Sequence, residues 1–352
     1  MNLAVIVVSY NTKDLLRQCL NSIYASYETR TTAQDHLTIV VVDSASHDGS
    51  AQMVEAEFPQ VRLLARRDNI GFVKGNNLAL QTLGFSIAPI DKPLANNHKS
   101  RITDHNLQIV DHDLLPILPD IVLLLNPDAE LIEDALWQMA LFLDAHPEAG
   151  VCGAKLRYGD GQFQHGAFRY PSLMQVLIDL FPLYGVRGIQ RLHNSSLNGR
   201  YSQHQWNGVD AFPVDFVLGA ALMLKRDVIE QVGGLDTEYV MYCEELDWCL
   251  RINQAGWQVY ALPTAGVMHY EGQSSKQVRW PSFVRLWRSR FLFYEKHSYL
   301  FPKGYRFIVK QIVRLTVGWR KTQAERRFAR GQATGLEIQE ELAAYAQVRA
   351  IT

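Results

Sequence analysis

The sequence predicts an α/β protein in which a mostly parallel, Rossmann-like sheet is followed by a mixed half and a helical C-terminal extension. Two apolar runs, LAVIVVSY (3–10) and LTIVVVDS (37–44), flank a segment whose apolar residues recur at helical spacing between Leu15 and Ile23. This order indicates a βαβ unit. Val and Ile are nearly continuous in both runs, which is typical of strands covered on both faces in a parallel sheet.

The same alternation continues toward residue 146. A polar segment at about 85–118 is far longer than the usual connection of about 4–6 residues, and we interpret it as an insertion into the α/β half. Around it, we predict helices over 50–58, 72–83 and 133–146, and strands over 61–66 and 120–126.

The regular alternation ends near residue 150. Strands are predicted for GVCGAKLRY (150–158) and FVLGAALMLKR (216–226), on either side of an aromatic, loop-rich stretch at 163–212. A mixed half of this kind suits the binding of an acceptor substrate. We predict that it forms one domain, 1–298, with the first half, and that residues 299–352 form the extension.

Composition places the chain among folded proteins. Its 352 residues are 47% hydrophobic and carry a formal net charge of −1, so they can bury a large core in one or two domains. A near-neutral charge gives no general reason to expect nucleic-acid binding. There is neither a signal-peptide pattern nor an apolar run of the roughly 18 residues that span a membrane, so we expect a cytoplasmic protein. The expected reduced core thiols are Cys19, Cys152, Cys243 and Cys249.

An acidic cluster stands in VMYCEELDWCLRINQAGW (240–257). Glu244, Glu245 and Asp247 place three carboxylates within four positions. Acidic residues stabilise the first turn of a helix through the helix dipole, so a solvated helix start would account for them. A carboxylate in a partly dry cleft could instead act as a general base, because burial raises its pKa.

Polar residues also stand at the ends of the first two predicted strands. Ser9, Tyr10 and Asn11 end the first strand, and Asp43 ends the second. In an open α/β sheet the carboxyl ends of the strands line the ligand crevice. Asp43 could cap a turn, or it could accept a hydrogen bond from the imide N–H of a pyrimidine base. Asn69 lies in a predicted turn. No GxGxxG motif follows the first strand, and its absence argues against a dinucleotide cofactor.

A third strand end, in DIVLLLNPD (120–128), carries Asn126, Pro127 and Asp128. A carboxylate presented by a rigid proline is well placed to hold a divalent cation against a diphosphate, because hard cations prefer oxygen ligands. A simple strand-ending turn is the alternative.

Six motifs occur in one order over residues 3–275: VVSYN, VVDSASHDGS, DNIGFVKGNN, LLLNPDAE, GAALMLKRDVIEQVGGLDTEYVMYCEELDWCLRINQAGW and VMHYEGQS. Together they closely resemble the family 2 inverting glycosyltransferases, and among these the rhamnosyltransferase-like branch. The resemblance covers roughly the first 300 residues. It implies a GT-A fold, a nucleotide-sugar donor such as a dTDP- or UDP-sugar, and a divalent metal, Mn²⁺ or Mg²⁺.

The resemblance also implies roles for residues. Asp128 stands at the end of the family's metal-binding DxD motif, whose first acid is Asn126 here. His269 would be the second metal ligand, with an ordinary half-buried histidine as the alternative. Arg288 and Arg290 would either serve the donor diphosphate or solvate a helix face. The residues that would hold the nucleotide sugar are Ser9, Tyr10, Asn11, Asp43, Asn69, Asn76 and Asn126.

The acidic cluster matches the family's Glu-Asp-x-Asp motif, whose second acid deprotonates the acceptor hydroxyl. Glu245 takes that position, so a Glu replaces the usual Asp. One extra methylene moves a carboxylate beyond the positioning tolerance unless the backbone adjusts, so Asp247 or Glu244 could carry part of the role.

The expected reaction is an inverting transfer of L-rhamnose from dTDP-rhamnose onto a glycan or polyprenyl-linked saccharide, in cell-surface polysaccharide synthesis. The alternatives are a transferase that uses a UDP- or GDP-sugar and a catalytically inactive relative that binds a glycan or a nucleotide. An NAD-linked oxidoreductase is disfavoured by the missing glycine motif.

The C-terminal segment is strongly basic. Residues 300–331 hold nine Lys or Arg and one acid, Glu325, threaded with apolar residues. Helical spacing predicts an amphipathic helix, either packed on the catalytic domain or lying on an anionic membrane at its cytosolic face. The predicted apolar face contains Tyr305, Ile308, Ile312, Leu315 and Trp319, flanked by Arg306, Lys310, Arg314 and Arg320.

Overall fold

The computed structural model of the protein describes residues 1–87, 107–110, 118–180, 192–270 and 279–352. The chain divides into two compact units. The first unit contains Met1–Phe168, Gln203–Glu238 and Glu244–Ser274, and the second contains Arg169–Ser202, Tyr239–Cys243 and Ser275–Thr352. The predicted extension at 299–352 is part of the second unit, and the predicted domain boundary at residue 298 stays a prediction.

The first unit is built on an 11-stranded sheet. Its strands are β1 (Asn2–Ser9), β2 (His36–Ser44), β3 (Arg62–Arg66), β4 (Leu107–Val110), β5 (Ile121–Leu125), β6 (Ala129–Leu131), β7 (Ala149–Arg157), β8 (Phe163–Gln164), β10 (Phe212–Val214), β12 (Ala221–Lys225) and β13 (Gln258–His269). The path across the sheet is β10-β13-β7-β12-β5-β1-β2-β3-β4, with β6 paired to β13 and β8 to β7. A separate small sheet pairs β9 (Ala167–Phe168) with β11 (Phe216–Val217).

The helices predicted for the N-terminal half are present. They are α1 (Lys13–Glu28), α2 (Ser50–Glu57), α3 (Gly71–Thr82) and α4 (Ala135–Ala145). Later helices of this unit are α6 (Gln203–Trp206), α7 (Arg226–Val232) and α8 (Glu244–Gln254).

The parallel sheet predicted from the Val- and Ile-rich runs is confirmed. β1 pairs in parallel with β2 and β5, and β2 pairs in parallel with β3. On one face, Val5 and Val7 share a buried core with Leu16 of α1. On the other face, α3 lies so close to β1 that a Cβ at Gly75 would come within 2.7 Å of the Val8 side chain. Helices therefore cover both faces of the central strands.

The strand predicted over 216–226 is wrong in one respect, because the segment forms two strands in two sheets. β11 pairs with β9, whereas β12 pairs antiparallel with β5 and β7. Between them the Leu218 N–H donates to the Gly166 carbonyl at 2.8 Å, and the Ala220 carbonyl accepts from the Asn126 N–H at 3.0 Å. The backbone thus leaves one sheet for the other at Gly219.

The interpretation of 85–118 as an insertion falls mostly outside the described residues. Its described part contains β4, which pairs antiparallel with β3 and which the sequence analysis did not predict.

The described part of the second unit is helical. Its main helices are α5 (Leu173–Leu180), α9 (Arg279–Lys296), α10 (Tyr305–Ala329) and α11 (Gly335–Ile351). A capping box starts α11, in which the Thr334 hydroxyl accepts from the Glu337 N–H and the Glu337 carboxylate accepts from the Thr334 N–H. α11 packs against both α9 and α10. Among the described residues, no helix is both long enough and apolar enough to cross a bilayer.

The predicted amphipathic helix exists as α10, but its buried face is not the predicted one. The residues that face the interior are Tyr305, Val309, Val313, Thr316, Val317 and Ala324. Ile308, Leu315 and Trp319 from the predicted apolar face are instead exposed. The helix carries apolar residues on two faces, and packing against α11 and α5 selects the face that repeats every four residues.

Candidate active site

The acidic cluster forms the first turn of α8. Asp247 is buried, and its Oδ2 accepts a hydrogen bond from Arg251 Nε at 2.8 Å, one helical turn later. Arg251 also donates to the backbone carbonyls of Val232 and Gly234, at 3.1 and 2.9 Å. Asp247 therefore belongs to a buried ion pair that fastens α8 to the end of α7.

Glu244 and Glu245 are shielded from solvent and, unlike Asp247, have no cationic partner among the described residues. Glu244 is buried and Glu245 is half-buried, and the Oε2 atom of each is buried without a hydrogen-bond partner among the described residues. Desolvation raises the pKa of Glu245 to about 7, although hydrogen bonds from backbone N–H groups, including that of Gly219, partly oppose the rise. Desolvation, followed by the charge of Glu245, raises the pKa of Glu244 well above its ordinary value. Near neutral pH, Glu245 is thus a carboxylate able to exchange a proton.

One short segment ties Glu245 to the end of β5. A Cβ added at Gly219 would lie 4.0 Å from the Cβ of Glu245. The next residue, Ala220, accepts a hydrogen bond from the Asn126 N–H at 3.0 Å. The acidic helix and the turn that carries Asp128 therefore meet at the same segment.

A buried asparagine fixes the chain that leads from α7 toward α8. The Asn77 side chain, in α3, donates to the Leu235 carbonyl at 2.7 Å and accepts from the Leu235 N–H at 2.9 Å. Gly234 is required beside it, because an added Cβ would collide with Asn77 Oδ1. Trp248 of α8 donates through Nε1 to the Gly233 carbonyl at 2.9 Å. These hydrogen bonds fix the segment Gly233–Leu235, which precedes the acidic cluster in the chain.

Asp128 and His269 lie together at the ends of β5 and β13. Asp128 Oδ1 is 3.4 Å from His269 Nε2, and both side chains are buried. The other ring nitrogen, Nδ1, is 3.1 Å from Oε1 of the buried Gln164 in β8. An Nδ1–H that donates to this amide oxygen would leave the Nε2 lone pair on the side of Asp128. Asn126 Nδ2 is 3.4 Å from the same Nε2.

This pair fits a divalent cation. A carboxylate oxygen and a neutral imidazole nitrogen are ligands that Mn²⁺ accepts, and the Gln164 contact is of the kind that orients metal-bound histidines. Within the described ranges, no group of three or more His, Cys, Asp or Glu side chains could hold a metal ion. Phosphate oxygens are hard ligands of the kind that such a cation shares with a protein carboxylate.

Asp43 lies at the end of β2 and is buried. Its Oδ1 accepts from the Ser46 N–H at 3.0 Å, which is the turn-capping role considered from the sequence. Its Oδ2 is buried without a hydrogen-bond partner in the described part of the chain. Desolvation raises the pKa of Asp43 more than the hydrogen bonds from Ser46 lower it. One oxygen thus serves the turn, and the other is available to accept from a ligand.

The residues at the end of β1 divide between the interior and the surface. Ser9 is buried, and its Oγ is 2.9 Å from Thr12 Oγ1. Tyr10 is exposed. Asn11 has a left-handed backbone, with φ of 51°, and its Oδ1 accepts from the His47 N–H at 2.8 Å. Ser9 therefore supports the turn, while Tyr10 and Asn11 are accessible.

Two residues predicted to bind the nucleotide sugar form hydrogen bonds with nearby backbone groups instead. Asn69 is exposed, and its Oδ1 accepts from the Gly71 N–H at the start of α3, at 3.0 Å. Asn76 is buried and donates to the Phe72 carbonyl at 2.9 Å. Both side chains shape α3, whose first turn contains Phe72.

Arg288 and Arg290 belong to α9 in the second unit. Arg288 is exposed, in keeping with the solvated helix face considered from the sequence. Arg290 lies 2.6 Å from the Asp179 carboxylate of α5, so its charge is neutralised within the protein. The sequence analysis did not predict this ion pair, and the diphosphate contact of Arg290 stays a prediction.

Three residues of the site escaped the sequence analysis: Gln164, Asn77 and Arg251. Arg251 follows Asp247 by four residues, an ion-pair spacing on a helix that was a usable signal. Gln164 lies in a stretch interpreted as loop-rich, and its partner is 105 residues away, so no local pattern marks it.

Solved structures define the fold class. The chain superposes on the mannosyltransferase PcManGT from Pyrobaculum calidifontis, solved with GDP-Man and Mn²⁺, with a TM-score of 0.51 and 16% identity over 99% of this chain and 85% of that one. For GalNAc-T7, solved with UDP, GalNAc and Mn²⁺, the TM-score is 0.50 and the identity 13%, over 90% and 54% of the two chains. The fold is that of the GT-A glycosyltransferases.

The family follows from sequence. The family model described as "Glycosyltransferase like family 2" matches residues 1–280, so the chain belongs to this family and is a glycosyltransferase. It is 25% identical over 273 residues to the N-acetylglucosaminyl-diphospho-decaprenol L-rhamnosyltransferase of Mycobacterium tuberculosis, covering 78% of this chain and 77% of the relative. It is 33% identical over 87 residues to the rhamnosyltransferase WbbL of Escherichia coli K12, covering 22% of this chain and 33% of the relative.

Proposed function

We propose that the protein is an inverting sugar transferase in which Glu245 is the general base for the acceptor hydroxyl. The observation that carries the proposal is the half-buried Glu245 carboxylate, whose pKa is about 7 and whose Oε2 has no partner among the described residues. A base works best when its pKa lies near the working pH. The rival carboxylates are less suited, because Asp247 is paired with Arg251 and burial favours the protonated form of Glu244.

The proposed reaction is a single displacement. The acceptor hydroxyl oxygen attacks the anomeric carbon as the bond from that carbon to the donor diphosphate breaks, and Glu245 takes the hydroxyl proton. Attack on the face opposite the leaving group inverts the configuration. The products are the glycoside, the nucleoside diphosphate and protonated Glu245, which returns its proton to the solvent.

Asp128 and His269 would hold a divalent cation, Mn²⁺ or Mg²⁺, which supplies charge stabilisation to the departing diphosphate. Two observations support this assignment. Asp128 Oδ1 lies 3.4 Å from His269 Nε2 while Gln164 contacts the other ring nitrogen, and the two GT-A structures compared above were solved with Mn²⁺. Asn126 adjoins the same nitrogen and would lie next to the bound cation.

We propose dTDP-rhamnose as the donor and a saccharide on a polyprenyl diphosphate as the acceptor. The name of the Mycobacterium tuberculosis relative, an N-acetylglucosaminyl-diphospho-decaprenol L-rhamnosyltransferase, supports rhamnose as the sugar and a saccharide on a prenyl diphosphate as the acceptor. The unpartnered Asp43 Oδ2 suits the imide N–H that thymine and uracil present. Tyr10 and Asn11 would complete the nucleotide contacts.

The donor assignment is tested by thermal shift with dTDP-rhamnose, a UDP-sugar and GDP-mannose, each with Mn²⁺, because a ligand of the native state raises the melting temperature. We expect the largest shift with dTDP-rhamnose and its loss in Asp128→Ala and in His269→Ala. Asp144→Ala, at an exposed carboxylate of α4, is the matched control. A larger melting-temperature shift with another nucleotide sugar would show that this other sugar, and not dTDP-rhamnose, is the donor.

Turnover is measured separately, as release of nucleoside diphosphate with an N-acetylglucosaminyl-diphospho-prenol acceptor. We expect turnover with dTDP-rhamnose. Donor binding with neither transfer nor hydrolysis would favour the inactive, nucleotide-binding relative.

We further propose that α10 attaches the protein to an anionic lipid surface. Phe307, Ile308, Leu315 and Trp319 are 65%, 45%, 72% and 47% exposed, which is unusual for apolar side chains so close together on one helix. Seven-residue spacing aligns the exposed Arg314 and Lys321 with Phe307 along one edge of this apolar stripe. Each basic residue near an anionic bilayer contributes about 1 kcal/mol of attraction.

The membrane proposal is tested by co-sedimentation with vesicles that contain phosphatidylglycerol. We expect binding to fall in a Leu315→Ser, Trp319→Ser double variant and at high salt. Leu336→Ser, at a similarly exposed residue of α11, is the control and should bind as the wild type does. If vesicle binding is unchanged in the double variant and at high salt, α10 is excluded as the membrane contact.

A further inference from the structure

The second unit contains a cavity of about 300 Å³ to which the proposed chemistry assigns no role. Its wall is formed by residues of α9, α10 and α11 and by Tyr242. The side chains that give it its character are four aromatic residues and two arginines: Tyr242, Trp280, Phe283, Tyr345, Arg279 and Arg320. A cavity of this size lies at the lower end of the range found for ligand sites, which is about 300–1,000 Å³.

Three of the four aromatic residues, Trp280, Phe283 and Tyr345, form one continuous wall. Tyr345 makes edge contacts with Trp280 and Phe283, with ring centroids 5.6 and 6.0 Å apart. Such packed rings offer an apolar surface to a sugar ring or to an isoprene unit. The Tyr345 hydroxyl is already used, because it donates to Glu341 at 2.8 Å, and Arg327 neutralises Glu341 at 2.7 Å.

The two arginines give the cavity an anion-binding character. The Arg279 guanidinium lies 4.9 Å from the centre of the Trp280 ring, and Arg320 donates from one nitrogen to the Leu180 carbonyl at 2.8 Å. Across the described ranges, neither forms an ion pair with a carboxylate. Guanidinium groups bind phosphate oxygens with two parallel hydrogen bonds, and Ser282 adds a buried hydroxyl that lacks a partner in the described part of the chain.

Tyr242, which lines the cavity, also belongs to the chain segment that leads into the acidic cluster. Tyr242 and Cys243 both have left-handed backbones, with φ of 70° and 65°, a conformation that costs energy in non-glycine residues and is concentrated at functional sites. The preceding carbonyl, of Met241, accepts a hydrogen bond from Ser289 of α9 at 2.7 Å. The chain reaches Glu245 three residues after Tyr242.

We propose that this cavity binds the diphosphate of a polyprenyl diphosphate saccharide together with the adjoining sugar ring or isoprene unit. Arg279 and Arg320 bind the diphosphate, and the aromatic wall packs against the adjoining group. A cavity of about 300 Å³ is smaller than such a ligand, so the remainder of the ligand lies outside it. This inference rests on the proposed function, because it names the part of the protein that holds the acceptor.

The test is calorimetric binding of geranyl diphosphate to the full chain in EDTA, where binding through the proposed metal site is suppressed. We expect saturable binding that Arg279→Gln weakens roughly tenfold or more, the loss typical of a charge-assisted phosphate contact. Arg285→Gln, at an exposed arginine of α9 that does not line the cavity, should leave the affinity unchanged. Inorganic pyrophosphate should bind more weakly than geranyl diphosphate, and dTDP should not displace it.

Three results would overturn the inference: no saturable binding, an equal loss in Arg285→Gln, or displacement by an equal concentration of dTDP, which would make the cavity a nucleotide site. Arg279 is exposed, so its variant should fold, and an unchanged melting temperature verifies this. Binding of geranyl diphosphate in a protein without turnover would refute the proposed transferase function while leaving the cavity assignment intact. Turnover without this binding would do the reverse.

Discussion

Replacing Glu245 with Gln tests the proposed base through stability as well as rate. Burial raises the pKa of Glu245 from its ordinary 4.5 to about 7. Between these pH values the folded protein holds a proton that the unfolded chain has released, so stability falls as the pH rises. A difference of about 2.5 pKa units corresponds to about 3 kcal/mol lost by pH 8. Gln carries no charge and avoids this loss.

The assay is a set of thermal unfolding curves from pH 5 to pH 8 for the wild type, Glu245→Gln and the control Glu230→Gln, at an exposed residue of α7. We expect the melting temperature of Glu245→Gln, relative to the wild type, to rise by about 5 °C across this range. Donor binding should be retained, and turnover should fall roughly 10²–10⁴-fold.

The wild-type pH–rate profile provides the second measurement. Because the base must be deprotonated, kcat/KM should rise with pH through an apparent pKa of about 7. An acid limb near 4.5, or a melting-temperature difference that does not change with pH, would refute the reasoning from burial.

Three further changes probe the neighbouring groups. Gln164→Leu removes the acceptor that orients His269, and we expect Mn²⁺-dependent donor affinity, measured by calorimetry, to fall about 10–100-fold. Asp247→Asn leaves Arg251 unpaired and should cost about 3–5 kcal/mol of stability in a thermal melt while sparing donor binding; lost turnover at unchanged stability would instead move the base to Asp247. Asp43→Asn replaces a carboxylate acceptor and should weaken dTDP binding about tenfold in calorimetry; unchanged affinity would remove Asp43 from the nucleotide site.

Much of the first unit could be predicted because its signals are local. The Val and Ile runs of β1 and β2 require burial on both faces, and a polar residue directly after such a run must lie at a strand end. Asp43 and Asp128 were placed in this way. The family resemblance assigned them ligands, but the hydrogen bonds of Asp43 could not be predicted from the sequence.

The rest depended on contacts between distant segments. Gln164 contacts His269 across 105 residues, and Asn77 binds Leu235 across 158 residues. Contacts between such distant residues produce no periodic pattern in the sequence. α10 carries apolar residues on two faces, and its packing against α11 and α5 decides which face is buried.

The position of β12 has a consequence for the order in which the molecule assembles. During synthesis from the N-terminus, β1, β2, β3 and β5 can pair with strands that precede or adjoin them. β7 must wait for β12 to be joined to β5, because β12 lies between them and is antiparallel to both. Asn126 likewise meets its histidine only 143 residues later. Until β12 is made, β5 and β7 therefore have unpaired edges, which are surfaces prone to aggregation, and Asp128 gains its neighbour His269 only when β13 has been made.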